Sequence, residues 1–289
     1  MIKLNGKTIE GKKFPDGTLS IFDFPIESIG NSVKIEWQYE NDNEFFLLFC
    51  CVKHIKQNFK NTEIVLNIPY VYGARMDRTK SNEEVFTLKY FANFINSLNL
   101  DKVVIFDPHS DVTPALMNNV QVINPEQMIL NTIDVIKKID TNHKLVIYFP
   151  DYGAKKRYGN YFKGYDIVFG IKNRDWNTGK ILGIDICDSD GINLNYSVNF
   201  KDVLKDKTVL MVDDIVSYGG TLAYSADKLK EFECGDIYAY VSHTENSVLN
   251  EEKCKLLERL KNGTVKKVFT TDSLYTGNSE YIDVIYNFF

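Results

Sequence analysis

The chain has 289 residues, 44% apolar and 25% charged, with a formal net charge of -5. That composition is normal for a folded protein of one or two domains, two being the better fit, and the acidic balance speaks against a broad nucleic-acid surface while leaving room for a local basic pocket. The opening MIKLNGKTIEGKKF holds no apolar core of signal-peptide length, and no stretch reaches the roughly 20 apolar residues that span a bilayer, so a cytoplasmic protein without a membrane partner is expected. In chain order, apolar periodicity predicts a helix over 45–59, a strand over 63–69 and a helix over 83–98, in which Val85, Leu88, Phe91, Ala92, Ile95 and Leu98 recur at helical spacing. A strand follows over 102–107, a helix over 124–138, and strands over 144–150, 166–170 and 208–213. The last elements are helices over 220–232 and 250–261 and strands over 236–241 and 267–271. The strands are nearly continuous apolar runs, as expected where both faces are buried, and their alternation with helices implies an α/β fold with parallel sheets. The pattern runs twice, which divides the chain into 1–125 and 126–289. The five cysteines form no C-x-x-C pair and the four histidines no zinc spacing, so free thiols are expected.

The strongest chemical signal is TVLMVDDIVSYGGT at 208–221. An apolar strand ends in Asp213 and Asp214, and Gly219, Gly220 and Thr221 open a helix. Ligands of open α/β sheets bind at the carboxyl ends of strands. Adjacent glycines let backbone amides approach an anion, and the positive end of the helix attracts it. Paired carboxylates suit ribose hydroxyls, directly or through Mg2+. An ordinary strand–turn–helix corner with exposed acids is the plainer alternative. The segment resembles the phosphoribosyl pyrophosphate loop of type I phosphoribosyltransferases and of phosphoribosyl pyrophosphate synthetases.

Further segments resemble the synthetases. IPYVYGARMDRTK at 68–80 is similar to their I-P-Y-x-x-Y-A-R-Q-D-R motif, which implies that Arg75, Asp77 and Arg78 bind ATP, with Met76 in place of Gln. The planar fork of arginine suits phosphate. FDPHS at 106–110 resembles their strand-end D-L-H, which sets His109 beside ATP and metal, with Asp107 orienting the site. FPDYGAKKR at 149–157 resembles S-P-D-x-G-x-x-x-R, making Asp151 a sugar and metal ligand. GIKNR at 170–174 resembles the K-x-R of a mobile catalytic loop, whose Lys172 and Arg174 would neutralise transition-state charge, as His109 would assist. Phe14 and Asp16, in FPDG, resemble the F-S-D-G-E segment that reaches a neighbouring subunit's adenine. For each segment the plainer reading is a solvated charged turn, a structural histidine, exposed loop bases or a core aromatic. The resemblance implies two tandem type I phosphoribosyltransferase-like domains, ATP on the first and sugar phosphate on the second. It also implies Mg2+ held by His109, Asp151 and Asp213, and a homo-oligomer with shared active sites.

The chain departs from that family in two places. The loop usually reads D-D-x-x-D-T-G-G-T, whereas Ser217 here replaces an Asp and Tyr218 a Thr, against the sugar and its 5-phosphate. A phenol in place of a small hydroxyl fits a 5-phosphoryl group that continues into another moiety. ADP-ribose is then the preferred acceptor and ribose 5-phosphate the alternative. Divergent synthetase-like proteins encoded beside nicotinamide-salvage enzymes, notably in phages, are a related group that makes ADP-ribose pyrophosphate for NAD synthesis, and the Asn-, Lys- and Ile-rich composition is compatible with them and with a host cytoplasm. The second departure is the short stretch before Phe14, which leaves allosteric control open. Two rival functions are a non-catalytic synthetase-like regulatory subunit, disfavoured by the retained Lys172, Arg174, Asp213 and Asp214, and a simple phosphoribosyltransferase, disfavoured by the Arg75 and His109 segments.

Overall fold

Strands without polar alternation must be covered on both faces, and the central strands of the two larger sheets, such as Leu145–Phe149 and residues 208–212, are built that way. The computed structural model describes residues 1–141, 144–174, 181–194 and 201–289, with the backbone alone at 172–174, 181–183 and 201–202. The chain divides into Met1–Asn124 with Phe288–Phe289, and Pro125–Asn287.

The first unit opens with two short hairpins, β1 (Ile2–Leu4) with β2 (Lys7–Ile9) and β3 (Gly11–Lys13) with β4 (Leu19–Ile21). Then come β5 (Ser32–Trp37), α1 (Asn43–Asn58), β6 (Glu63–Ile68), α2 (Thr87–Ser97), β7 (Lys102–Phe106), α3 (Val112–Leu116) and β8 (Val120–Ile123). The main sheet has the order β2-β1-β5-β6-β7-β8, parallel from β5 onward. Its core joins Val33, Ile35, Leu66 and Ile105 of the strands to Leu48, Val52 and Ile55 of α1. From α2 it receives Leu88, Phe91, Ala92 and Ile95, one stripe at helical spacing. The helix starts at Thr87 rather than at residue 83, because Phe86 is non-helical and the Glu84 carboxylate accepts from the Lys80 amide in a separate turn. Trp37 fills the centre of an aromatic cluster with Phe45 and Phe91, and its indole N–H donates to the buried Glu44 carboxylate at 2.8 Å. The Phe288 ring lies 4.9 Å from that of Phe106.

The second unit begins with α4 (Glu126–Ile139) and β9 (Leu145–Phe149). It continues through α5 (Tyr152–Tyr158), β10 (Asp166–Arg174), β11 (Ile181–Asp188), α6 (Lys201–Leu204) and β12 (Thr208–Val216). It ends with α7 (Gly220–Glu231), β13 (Ile237–Thr244), α8 (Lys255–Lys261), β14 (Lys267–Thr271) and β15 (Ile282–Tyr286). The sheet order is β11-β10-β9-β12-β13-β14-β15, all parallel except β11, which pairs antiparallel on the edge of β10. The order reverses between β9 and β12. Successive residues of β9 face opposite sides, so Tyr148 hydrogen-bonds Ser225 of α7 while Phe149 stacks near Tyr158 of α5. The expected helix over 250–261 is shorter. Asn250 accepts from the amides of Glu252 and Lys253 in a turn, and Cys254 then caps α8 through its sulfur. All described cysteines are free, and no described helix is long and apolar enough to cross a membrane.

Candidate active site

The reversal of strand order places two connections, after β9 and after β12, side by side but bound for opposite faces of the sheet. This is where open α/β sheets form a crevice. Asp151 ends the first connection. Its backbone is extended and its carboxylate accepts the Ala154 amide at 3.0 Å, capping α5. On the second, β12 runs through both aspartates to Val216. The turn of Ser217 and Tyr218 follows, and then Gly219 at φ 65°, ψ 22°. Glycine is required at 219 twice over: the backbone is left-handed, and a Cβ there would stand 2.3 Å from the Leu256 Cβ. Gly220 opens α7 with no neighbour within 4 Å of a notional Cβ. The first-turn amides of α7, including that of Thr221, lack intrahelical acceptors and carry the positive end of the helix dipole. Tyr218 is 44% exposed.

The three carboxyls are electrostatically unequal. Burial pushes Asp213 well above the usual carboxylate range, and Asp214 and then Asp151 push it further. Asp214 is buried but faces the Arg157 guanidinium, Nη1 to Oδ2 3.4 Å, and its amide donates to the Asp213 carboxylate at 3.0 Å. Arg157 also donates to the Tyr158 hydroxyl at 3.1 Å. Behind the acids lies Tyr148, wholly buried, its hydroxyl 2.8 Å from Ser225 Oγ, with its ionisation suppressed by burial and by Asp151 and Asp213. A Cβ at Gly170 would come within 2.4 Å of that hydroxyl, so glycine there makes room for the phenol. Arg157, Tyr148, Ser225 and Gly170 escaped the sequence reading. Arg157 is nonetheless the closing Arg of the 149–157 segment, and Tyr148 is hidden within an apolar run.

In the first unit, the segments after β6 and β7 leave adjacent parallel strands, tied by a hydrogen bond from the Phe106 amide to the Pro69 carbonyl. Arg75 and Arg78 are exposed and Asp77 half-buried on the β6–α2 connection. Asp107 is buried in the left-handed region at φ 37°, its amide donating to Ile123 at 3.0 Å. That conformation is costly for a side-chain-bearing residue, and it turns the chain sharply into half-buried His109. Ser110 Oγ and Thr113 Oγ1, beside it in sequence, are buried without hydrogen-bond partners. Phe14, 50% exposed, and Asp16 occupy the β3–β4 hairpin. Asp16 accepts from the amide and hydroxyl of Thr18 at 2.9 and 2.6 Å, which holds its carboxyl below the ordinary range and commits it to the turn.

Lys172 and Arg174 do not lie in a loop. They extend β10, opposite Ile184 and Ile181 of β11 with a bulge at Asn173/Arg174, because the edge strand β11 supplies the backbone partners that 170–174 would otherwise lack. Their side chains fall outside the described residues. Among the described residues no three His, Cys, Asp or Glu side chains are grouped to hold a metal ion unaided.

No protein-family model matches the chain. The chain is 27% identical over 275 residues to a ribose-phosphate pyrophosphokinase of Campylobacter jejuni, spanning 91% of this chain and 78% of that protein. It is 23% identical over 274 residues to one of Sulfurisphaera tokodaii, spanning 92% and 84%. Among solved structures, the phosphoribosylpyrophosphate synthetase of Mycobacterium smegmatis aligns with a TM-score of 0.72 over 96% of this chain and 86% of that one. At 17% identity this shows a shared fold.

Proposed function

We propose, from the premise that this chain belongs to the ribose-phosphate pyrophosphokinase family and is a pyrophosphotransferase, that it transfers the β,γ-pyrophosphoryl group of ATP to the anomeric hydroxyl of ADP-ribose. The observation carrying this reading is the corner between β12 and α7. Two unequal carboxyls stand before a left-handed glycine and an open helix start, with an exposed Tyr218 where the family has a small hydroxyl. Ribose 5-phosphate is the second reading, favoured by the names of the relatives.

In the reaction the anomeric oxygen bonds to the β-phosphorus and the bond from that phosphorus to the α,β-bridging oxygen breaks. AMP leaves with the bridging oxygen, and the hydroxyl proton is lost. Such transfer is mainly positioning and charge neutralisation. Arg75, Arg78 and His109 orient ATP, with Asp77 steadying that connection and Phe14 and Asp16 approaching an adenine across an oligomer contact. Asp213 and Asp214 hold the ribose hydroxyls, with the Arg157 guanidinium beside Asp214. Ser217, Tyr218, Gly219, Gly220 and Thr221 receive the 5-phosphoryl group. Lys172 and Arg174 stabilise the migrating charge.

Mg2+ fits the residues present. It binds through one or two carboxylates plus substrate phosphates rather than a protein cage, and a cation there would relieve the burial and mutual repulsion that push Asp213 upward. Asp151 and Asp213 would hold it, with His109 on the ATP side, and it would supply neutralisation of phosphate charge. The test is to incubate the protein with ATP, Mg2+ and either acceptor and to quantify AMP and sugar product by mass. AMP with ADP-ribose alone is the expected result. AMP with ribose 5-phosphate alone overturns the acceptor, and none with either points to the regulatory subunit.

A further inference from the structure

The second unit carries a patch of which the reading above uses Tyr218 alone. Beside the glycine loop, Tyr218 and Tyr224 present rings that are 44% and 42% exposed. Lys255 links them. Its amide donates to the Tyr218 carbonyl at 3.1 Å, its ammonium donates to the Tyr224 hydroxyl, and that ammonium lies 4.5 Å from the centre of the Tyr224 ring. The next residue, Leu256, is the one that packs on Gly219, so Lys255 is tied to the loop at consecutive positions. Other cations on α7 and α8 are satisfied elsewhere: Lys228 by Glu231, Arg259 by Asp227, Lys261 by Glu251, and Lys230 by the Cys234 and Gly235 carbonyls. Lys255 has no carboxylate partner among the described residues, and it is exposed.

Isolated exposed rings are ordinary. An acid-free ammonium held on one ring, on a residue whose backbone is bonded to the residue bearing the other, at the edge of a loop shaped to receive an anion, is a more specific arrangement. We propose that Tyr218, Lys255 and Tyr224 make up a subsite for the part of the acceptor beyond its 5-phosphoryl group, and that this part is a second phosphoryl group carrying an aromatic nucleoside. The inference rests on the acceptor reading above. A lysine ammonium serves a phosphoryl oxygen as a compact point charge. Tyrosine faces offer a base a stacking surface that needs no hydrogen-bond code. A sugar ending in a terminal phosphate reaches no further than Tyr218 and gains nothing from Lys255 or Tyr224.

The experiment is calorimetric titration of the full chain, its ATP side saturated with a non-hydrolysable ATP analogue and Mg2+, with ADP-ribose and separately with ribose 5-phosphate. Wild type is expected to bind ADP-ribose more tightly. Tyr224→Ala and Lys255→Met, both at exposed positions, are each expected to weaken ADP-ribose by about tenfold and so to shrink the preference, the Lys255 effect fading at high salt. Equal weakening of both ligands, or an undiminished preference in the variants, overturns the subsite. A wild type that binds ADP-ribose no better than ribose 5-phosphate also overturns it. The turnover assay then tells the two failures apart: AMP release with ADP-ribose leaves the acceptor reading standing without the subsite, whereas AMP release with ribose 5-phosphate alone removes both.

Discussion

The two units use parallel sheets differently. In the first, β5, β6, β7 and β8 advance in one direction, and the candidate phosphate ligands are exposed arginines on a long connection. In the second, the strand order reverses between β9 and β12, and the candidate ligands are acids packed into the reversal. Exposed cations can follow a flexible polyphosphate and are inexpensive to hold in water. Acids that are buried, as Asp214 is, or half-buried, as Asp151 and Asp213 are, must be arranged by the fold itself, with Arg157 against Asp214 and a cap role for Asp151, because each carries a desolvation cost. The contrast implies that substitutions at the acids and glycine of the β12–α7 corner change stability and function together, while those at the exposed arginines of the first unit change binding alone.

Four experiments press on that contrast. The largest effect is expected from Lys172→Ala, a fall in turnover of about 100- to 1,000-fold with an unchanged melting curve, since the residue lies at the end of β10 beyond its pairing with β9 and is proposed to act on transition-state charge. Turnover within a few-fold of wild type would remove Lys172 from the mechanism. Gly219→Ala combines left-handed strain with the Leu256 clash and is expected to cost about 2 kcal/mol or more in denaturant unfolding, with loss of sugar binding. Asp213→Asn is expected to be more stable than wild type at pH 8 in a chelator, though inactive. The fold holds the Asp213 carboxyl above its unfolded value, near ~3.9. Its stabilising contribution is therefore complete below about pH 4 and is lost as pH rises through the folded value, so the advantage of Asn should vanish in acid. Equal stability across the range would show that the acids are not in conflict. The smallest effect is reserved for Arg78→Ala, within about 0.5 kcal/mol on stability but with ATP affinity reduced about tenfold.

The sheets were legible wherever a strand is buried on both faces: EIVLNI, LVIYF and the start of β12 announce themselves by unbroken apolar character. The three-residue strands at the start of the chain are too short to show a period, and they form through pairing with β5 and with one another. The loop expected at 170–174 became strand because the polar side chains of an edge hairpin do not reveal that backbone partners lie on β11. The Asp213–Asp214 corner could be read from adjacent acids and adjacent glycines. The partners that make those acids unequal could not, because Arg157 and Asp151 come beside them only through the reversed strand order, which no local pattern encodes.

That reversal also bears on synthesis. As the chain emerges, β9 gains β10 on one side and β11 beyond it, while its other edge waits for β12. Until Thr208 onward is available, the LVIYF backbone offers an apolar, unprotected pairing template to any neighbouring chain. A chain truncated before β12 is thus left with a sticky edge at the place where the finished protein forms the Asp213–Asp214 corner, so that aggregation hazard and assembly of the candidate site are set by the same late strand insertion.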